Sequence, residues 1–452
     1  MISRCKTISV VASLLMLGSA AWAAPPEAAG PSSPALTLDH AIQIALEHNQ
    51  SLKLKREAVQ RAQAQYGEAS AANRPQIRAE SAYVRTGPIP SVTFPGPAGP
   101  MEVALGTPET MTAKLSLTQP IDISRLISAG VKVADLNLQA SQLELRREEQ
   151  RTTLGVTQAY LGVLQAEAFR DVAQEALNAV EEHLRIAQLH YEAGTVPQLD
   201  VLRAEVAVAD ARQRLVTADN AVELAKAALN NVLGVDVNQP VEVESLPELS
   251  PIELSLPELL AGAERQRPEL QAMALRIEMT KRGVHLAKQG RLPTMALTGS
   301  YDWLENTSEF GPENLSWTVA LGVSLPVFDG GGTSAKVAQA RSDVRAAETA
   351  REQLRQGIAL EVRQAYLSLQ EAQARLAATA KSVEEAREVL RLAQARYETG
   401  VGTSVEVTDA VAAMTGARTN HVNATYDCRI ALARLEAAVG ASIHQDGRET
   451  SQ

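Results

Sequence analysis

The sequence predicts a mainly α-helical chain with a small β part, built as two copies of one unit in which a pair of strands precedes a long helical hairpin. Three observations carry this. First, a segment occurs twice: Leu184-Arg185-Ile186-Ala187-Gln188, continuing to Tyr191-Glu192 and Gly194, returns 206 residues later as Leu390-Arg391-Leu392-Ala393-Gln394, continuing to Tyr397-Glu398 and Gly400. Gln158-Ala159-Tyr160-Leu161 likewise returns as Gln364-Ala365-Tyr366-Leu367. Such a period is far too long for a solenoid of short repeats and marks a duplicated half-protein. Second, long proline-free stretches carry an apolar residue every seventh position. Third, two pairs of segments about ten residues long alternate in polarity as strands do.

At the N-terminus, Arg4 and Lys6 precede an apolar run from Ile8 to Gly18 and the small-residue triplet Ala21-Trp22-Ala23, so residues 1–23 read as a cleaved secretory leader. The alternative, an uncleaved anchor, needs a longer apolar run of about 20 residues. Cys5 lies ahead of the apolar stretch and cannot become a lipid-bearing first residue of the mature chain, so no N-terminal lipidation is expected. Cys428 is then the sole remaining cysteine, which excludes an intramolecular disulfide. Residues 24–35 read as a disordered linker. The net charge is -10 and no basic face stands out, which argues against a nucleic-acid partner. Aromatic residues make up only 3% of the chain, and Ala, Leu, Gln, Glu and Arg dominate its long stretches, a composition of long helices. No later run reaches 18 apolar residues, so any membrane crossing must be made by strands.

The first unit covers residues 36–234. Residues 36–74 suit one or more short helices. Strands are expected at about 76–86 and 112–121, joined by a Gly- and Pro-rich segment from Thr86 to Pro108 that reads as an exposed loop. No proline falls between Pro120 and Pro197, which allows one helix from about Ser128 to Glu192, on the order of 100 Å long. Gly194-Thr195-Val196-Pro197 breaks it, Gly194 ending one helix and Pro197 opening the next, so the hairpin spans about 128–233. Residues 235–257, with Pro240, Pro247, Pro251 and Pro257, link the two units.

The second unit, residues 258–440, repeats this order. Helical segments over 255–292 precede strands at about 294–304 and 317–328, the latter with Trp317, Val319, Leu321, Val323 and Leu325 at alternate positions. A short polar connection from Leu304 to Ser316 joins them. The hairpin spans about 333–439, with its turn at Gly400-Val401-Gly402-Thr403-Ser404. Its seam is Val362, Leu369, Leu376, Val383, Leu390 and Tyr397, and the first copy offers Val156, Val163, Leu177, Leu184 and Tyr191. Small residues interleave with both, so neighbouring helices can approach closely in a left-handed supercoil. Arg170 interrupts the first stripe. Residues 441–452 form a polar, disordered tail.

Four strands are too few to close a barrel, and an open sheet edge has no hydrogen-bond partners in lipid. Exported strands of spanning length, four to a chain, therefore point to several chains sharing one barrel.

The chain resembles the TolC-like outer-membrane efflux proteins, the outer membrane factors of tripartite efflux and secretion systems. The resemblance covers nearly all of the mature chain. It rests on the duplication, on Leu325-Pro326-Val327-Phe328-Asp329-Gly330-Gly331, and most specifically on the tip from Tyr397-Glu398-Thr399-Gly400-Val401-Gly402-Thr403-Ser404 to Val405-Glu406-Val407-Thr408-Asp409-Ala410. It implies a homotrimer in which four strands per chain form a 12-strand barrel in outer-membrane lipid, and the helical hairpins form an α-barrel tunnel through the periplasm. A periplasmic adaptor and an inner-membrane pump dock at the closed tip. Substrate passes unchanged, so the resemblance implies neither enzyme activity nor a cofactor.

The resemblance also places two acidic gate residues at Glu406 and Asp409, one helical turn apart, where three copies would form cation-favouring rings. The plainer role for acids there is to complement the helix dipole. A tyrosine–aspartate pair that holds the closed tip falls at Tyr397 and Asp200, although Tyr397 is also a seam residue with a packing role. An arginine that ties the tip in the family is replaced by Gly402, so closure is weaker here or another side chain takes its place. Gly194, Gly400 and Gly402 form the hairpin-tip turns.

Other features read blandly. Gly330-Gly331-Gly332 is not followed by a Lys-Ser or Lys-Thr pair and reads as a strand-to-helix bend. His183 and His190 read as a solvated helix face rather than a metal site. A rival reading, an exported coiled-coil structural or adhesion protein, uses the same heptads but leaves the alternating pairs unexplained. A periplasmic enzyme is a second rival for which no catalytic arrangement stands out.

Overall fold

The computed structural model describes residues 35–97, 99–104, 108–247, 254–305 and 315–441. The expected leader, the tail from residue 442 onward and most of the segment joining the second strand pair lie outside them.

Each unit begins with two short helices: α1 (Leu38–His48) and α2 (Gln50–Ala71) in the first, α5 (Leu256–Gln266) and α6 (Pro268–Gln289) in the second. Thr37 caps α1 by accepting from His40 N, and Asn49 caps α2 by accepting from Ser51 N and Leu52 N. The joint of each pair is tied to the far end of the same unit. Asn49 Nδ2 donates to the Val232 carbonyl at 2.8 Å, and Arg267 Nη1 donates to the Ala437 carbonyl at 3.3 Å. Different side chains thus do the same work at equivalent places.

The strands are β1 (Gln76–Arg85), β2 (Ser91–Gly96), β3 (Gly99–Ala104), β4 (Glu109–Ile121), β5 (Thr294–Glu305) and β6 (Leu315–Ser324). β1, β4, β5 and β6 form one antiparallel sheet in that order, so strands from both units are hydrogen-bonded and β1 and β6 are its edges. Two expectations are corrected. Thr86–Pro108 is not simply a loop, because β2 and β3 pair within it, with Val92 opposite Val103 and Phe94 opposite Met101. The prolines within the paired strands, Pro95 and Pro100, sit opposite each other beside the turn of a separate two-stranded ribbon, where a missing N–H is tolerated. The last strand ends at Ser324 rather than Phe328: Pro326 cannot donate to the ladder, and Val327 and Phe328 stand exposed.

Sheet passes to helix through an acidic cap in each unit. Asp122 accepts from Ile127 N and Ser128 N at the start of α3 (Leu126–Glu192). Asp329 accepts from Gly331 N and Thr333 N at the start of α7 (Gly332–Glu398), and a hydrogen bond from the Thr333 hydroxyl, together with these two, holds its carboxyl down at about 2. Gly330 and Gly331 take positive φ there, as a bend requires. α3 and α7 are each 67 residues long, and each turns back into a 36-residue helix, α4 (Gln198–Leu233) or α8 (Ser404–Val439).

The long helices lie in the order α4, α3, α8, α7; α2 packs on α3, and α6 sits between α3 and α7 as α8 does. α3 is covered by α2, α4, α6 and α8, whereas α4 and α7 lie at the edges. Apolar packing concentrates in three places: midway along the long helix of each unit, around Val156, Tyr160 and Leu229 and around Val362, Leu369 and Leu435, and at the far tip, around Val180, Val201, Tyr397 and Val407. The segment between units is pinned rather than free: Leu36 bridges to Val243, and the Tyr160 hydroxyl lies 2.8 and 2.7 Å from the carbonyls of Leu36 and Glu244.

Candidate functional site

The register of the four-stranded sheet sorts its side chains onto two chemically different faces. Ile77, Tyr83, Leu115, Leu117, Leu297 and Tyr301 share one face with Trp317, Val319, Leu321 and Val323, and these side chains are exposed. The other face carries Arg78, Glu80, Lys114, Ser116, Thr298, Ser300, Asp302 and Thr318. Lys114 pairs with Asp302 across β4 and β5 at 3.4 Å, and Ser300 donates to Asp302 at 2.7 Å. Tyr301 and Trp317 stand opposite each other near one end of the apolar face. An exposed apolar face opposed to a hydrated one is what a lipid-facing wall around an aqueous lumen requires. Among the described residues no helix is long and apolar enough to cross a membrane.

At the opposite end, the turns of both hairpins pack together. Gly194 and Gly400 take φ of 75° and 74°, closing α3 and α7 in the left-handed region. Gly402 is held for a different reason: a Cβ there would lie 3.0 Å from the Arg396 carbonyl carbon and from Tyr397 N. Its N–H donates to the Arg396 carbonyl at 2.8 Å. A side chain here would require the Arg396–Tyr397 backbone to give by a few tenths of an ångström. Arg396 itself pairs with Glu406 at 3.4 Å.

Glu406 and Asp409 are both exposed at the start of α8. Glu406 also takes part in the cap of α8: its N–H donates to Thr403 Oγ1 at 3.3 Å, and the Thr403 hydroxyl lies 3.4 Å from its carboxylate. The end-capping role and an outward-facing charge therefore coexist in this residue.

Tyr397 is 3% exposed, although its counterpart in the first copy, Tyr191, is 45% exposed. Its hydroxyl is buried without a hydrogen-bond partner, so Asp200 does not bond it within the protomer. Asp200 is near enough to act through its charge: burial raises the Tyr397 hydroxyl above its ordinary value and Asp200 adds to the effect. What Tyr397 does touch is histidine. The His183 ring lies 4.8 Å away, tilted, and the His190 ring 5.6 Å away, edge-on.

His183 corrects the reading of a solvated helix face. It is 4% exposed, and its Nε2 lies 2.9 Å from the buried Ser404 Oγ on α8. Burial pushes its imidazole below the ordinary value, partly opposed by Asp200. Val180, His183 and Ala187 are all buried at helical spacing, so a second inward stripe beside the seam was the available signal. His190 is half-buried and its Nδ1 lies 3.1 Å from the Thr195 hydroxyl. Among the described residues no cluster of three or more His, Cys, Asp or Glu has a metal-binding arrangement. Cys428 is a free, buried thiol.

A sheet with one apolar and one polar face, carried on paired hairpins with a packed tip, invites comparison with known proteins. The profile of the family described as "Outer membrane efflux protein" matches residues 41–235 and 259–441, one match in each half of the chain. The chain belongs to the outer membrane efflux protein family. It is 23% identical over 344 residues to outer membrane protein TolC of Vibrio cholerae serotype O1, covering 75% of this chain and 78% of that one. It is 28% identical over 326 residues to Protein CyaE of Bordetella pertussis, covering 70% and 69%. Among solved structures, the fold matches CusC with a TM-score of 0.75 at 20% identity over 89% of this chain and 92% of that one. It also matches the outer membrane protein VceC of Vibrio cholerae with a TM-score of 0.73 at 20% identity, over 90% and 96%. The fold is that of the outer-membrane efflux channels.

Proposed function

We propose that this chain forms a homotrimeric duct. Twelve strands, four per chain, close one barrel in outer-membrane lipid, and twelve long helices continue it as a tunnel through the periplasm. Substrates handed over by an inner-membrane pump through a periplasmic adaptor, in an efflux or type I secretion system, leave through it passively. The observation that carries this reading is that sheet and helical layer are open in the same way. β1 and β6 are sheet edges, and α4 and α7 are helix-layer edges. α4 exposes Leu202, Val206 and Leu224, and α7 exposes Leu360, Leu367 and Leu392. Closure with other copies covers these residues and satisfies the strand edges, which lipid cannot do.

Under this reading the apolar sheet face meets lipid and the Lys114–Asp302 face meets the lumen. The duct is expected in the outer-membrane fraction as an oligomer that dissociates on heating in detergent; a soluble periplasmic monomer would rule it out. Glu406 and Asp409, outward-facing at the start of α8, form the acidic rings of the narrow end. The double change Glu406→Gln and Asp409→Asn is expected to lower the cation-to-anion permeability ratio severalfold in single-channel recordings. An unchanged ratio would leave Glu406 as a cap and nothing more.

A further inference from the structure

We propose that His183 is a proton-responsive latch of the hairpin tip: as a neutral imidazole it ties α3 of the first hairpin to Ser404 of α8 in the second, and a proton releases α8. The proposal rests on reading the tip as the closed end of a duct.

Three elements meet on this one ring. It belongs to α3, contacts Tyr397 of α7 at 4.8 Å, and shares a hydrogen bond with Ser404, the first residue of α8, at 2.9 Å. Both partners of that hydrogen bond are buried. The Tyr397 hydroxyl beside it has no partner, so it does not take up the task of joining the hairpins within the protomer. Of the charged and titratable groups at the tip, Tyr397 on α7 touches the ring and Asp200 on α4 acts on it through its charge, while His190 on α3 meets Tyr397. Arg396 is engaged by Glu406, and the neighbouring Glu182 is engaged by Arg185. Asp200 is the one carboxylate that acts on the ring, and burial outweighs it.

The sign follows from this balance. The packed imidazole binds a proton less readily than the ordinary 6.5 of an exposed one, so protons select the tip in which it is released. The contribution of His183 to closure is complete above about 6.5 and is lost as the pH falls through its lowered value. One proton per latch raises the opening constant by at most about tenfold for each pH unit in that window.

The test is hydrogen exchange at the tip amides of the full-length protein in detergent, at pH 7.5, 6.5 and 5.5, with His183→Gln run beside it to cancel the intrinsic pH dependence of exchange. The expected result is a ratio of wild-type to His183→Gln tip exchange that rises severalfold as the pH falls. Asp200→Asn is the second variant, retaining the imidazole and lowering its packed value further, so that the rise begins at the same pH and continues to lower pH. A flat ratio overturns the proposal, as does slower wild-type exchange at low pH, or a rise abolished by His190→Gln instead. Bilayer conductance measured on the same samples separates the two readings. A pH-dependent tip in a protein that never conducts would sink the duct, whereas a conducting protein with a flat ratio would sink the latch.

Discussion

At the residue scale, the tip is governed by burial more than by charge. Tyr397 resembles a residue that closes family tips by reaching an aspartate, yet within this protomer its hydroxyl is buried and unbonded while its ring packs between two histidines. Tyr397→Phe is therefore expected to leave tip exchange unchanged or slow it, because an unmet buried hydroxyl costs about 1–3 kcal/mol. Faster exchange would mean that the hydroxyl finds Asp200 in the assembled protein. The place of Glu406 and Asp409 at the start of α8 was legible from the sequence through the tip motif. The histidine was not, because its place in the repeat is held in the second copy by Val389, which is 54% exposed. Repeat logic therefore gave no warning that His183 turns inward.

At the element scale, the two copies reach similar geometry by different contacts. Gly234 and Gly440 both end return helices at positive φ, 79° and 85°. A Cβ at Gly234 would stand 2.6 Å from the His48 carbonyl oxygen, whereas at Gly440 the nearest atoms are 3.6 Å away. Gly440→Ala is expected to cost only the left-handed backbone penalty, about 1–2 kcal/mol. Gly234→Ala should cost roughly 1–3 kcal/mol more, because a backbone atom must move. Thermal unfolding of the two variants measures the difference; equal losses would show that the α1–α2 joint yields freely. Gly402→Arg is expected to displace the turn and quicken tip exchange rather than tighten the tip. The helix bounds were readable because proline, glycine and heptads mark them in the chain. The β2–β3 pair was not, because its Pro and Gly content hides four facing apolar residues, Val92, Phe94, Met101 and Val103.

At the scale of the whole molecule, the sheet's two faces make opposite predictions for neighbouring residues. Val319→Arg puts a charge on the apolar face of β6, which at mid-bilayer costs about 2–4 kcal/mol, and is expected to reduce the outer-membrane oligomer. Thr318→Arg lies on the polar face and should leave assembly intact while lowering conductance. Quantifying the heat-dissociable band for both variants decides the matter. If both assemble equally, the apolar face of this strand does not meet lipid.

The sequence by itself determined the duplication, the long helices and their breaks, the strand pairs and the family, because each is written in local periodicity or in contiguous motifs. Only the tertiary structure decided which of two matching positions is buried. α3 lies between α4 and α8 while α7 lies at an edge, so similar heptads meet different surroundings. That asymmetry buries His183 and leaves Val389 exposed, whereas the tyrosines run the other way: Tyr397 on α7 is buried against His183 and His190 of the other hairpin, and Tyr191 on α3 is exposed. Burial depends on what packs across a helix, and that information lies in the other hairpin rather than in the helix's own sequence.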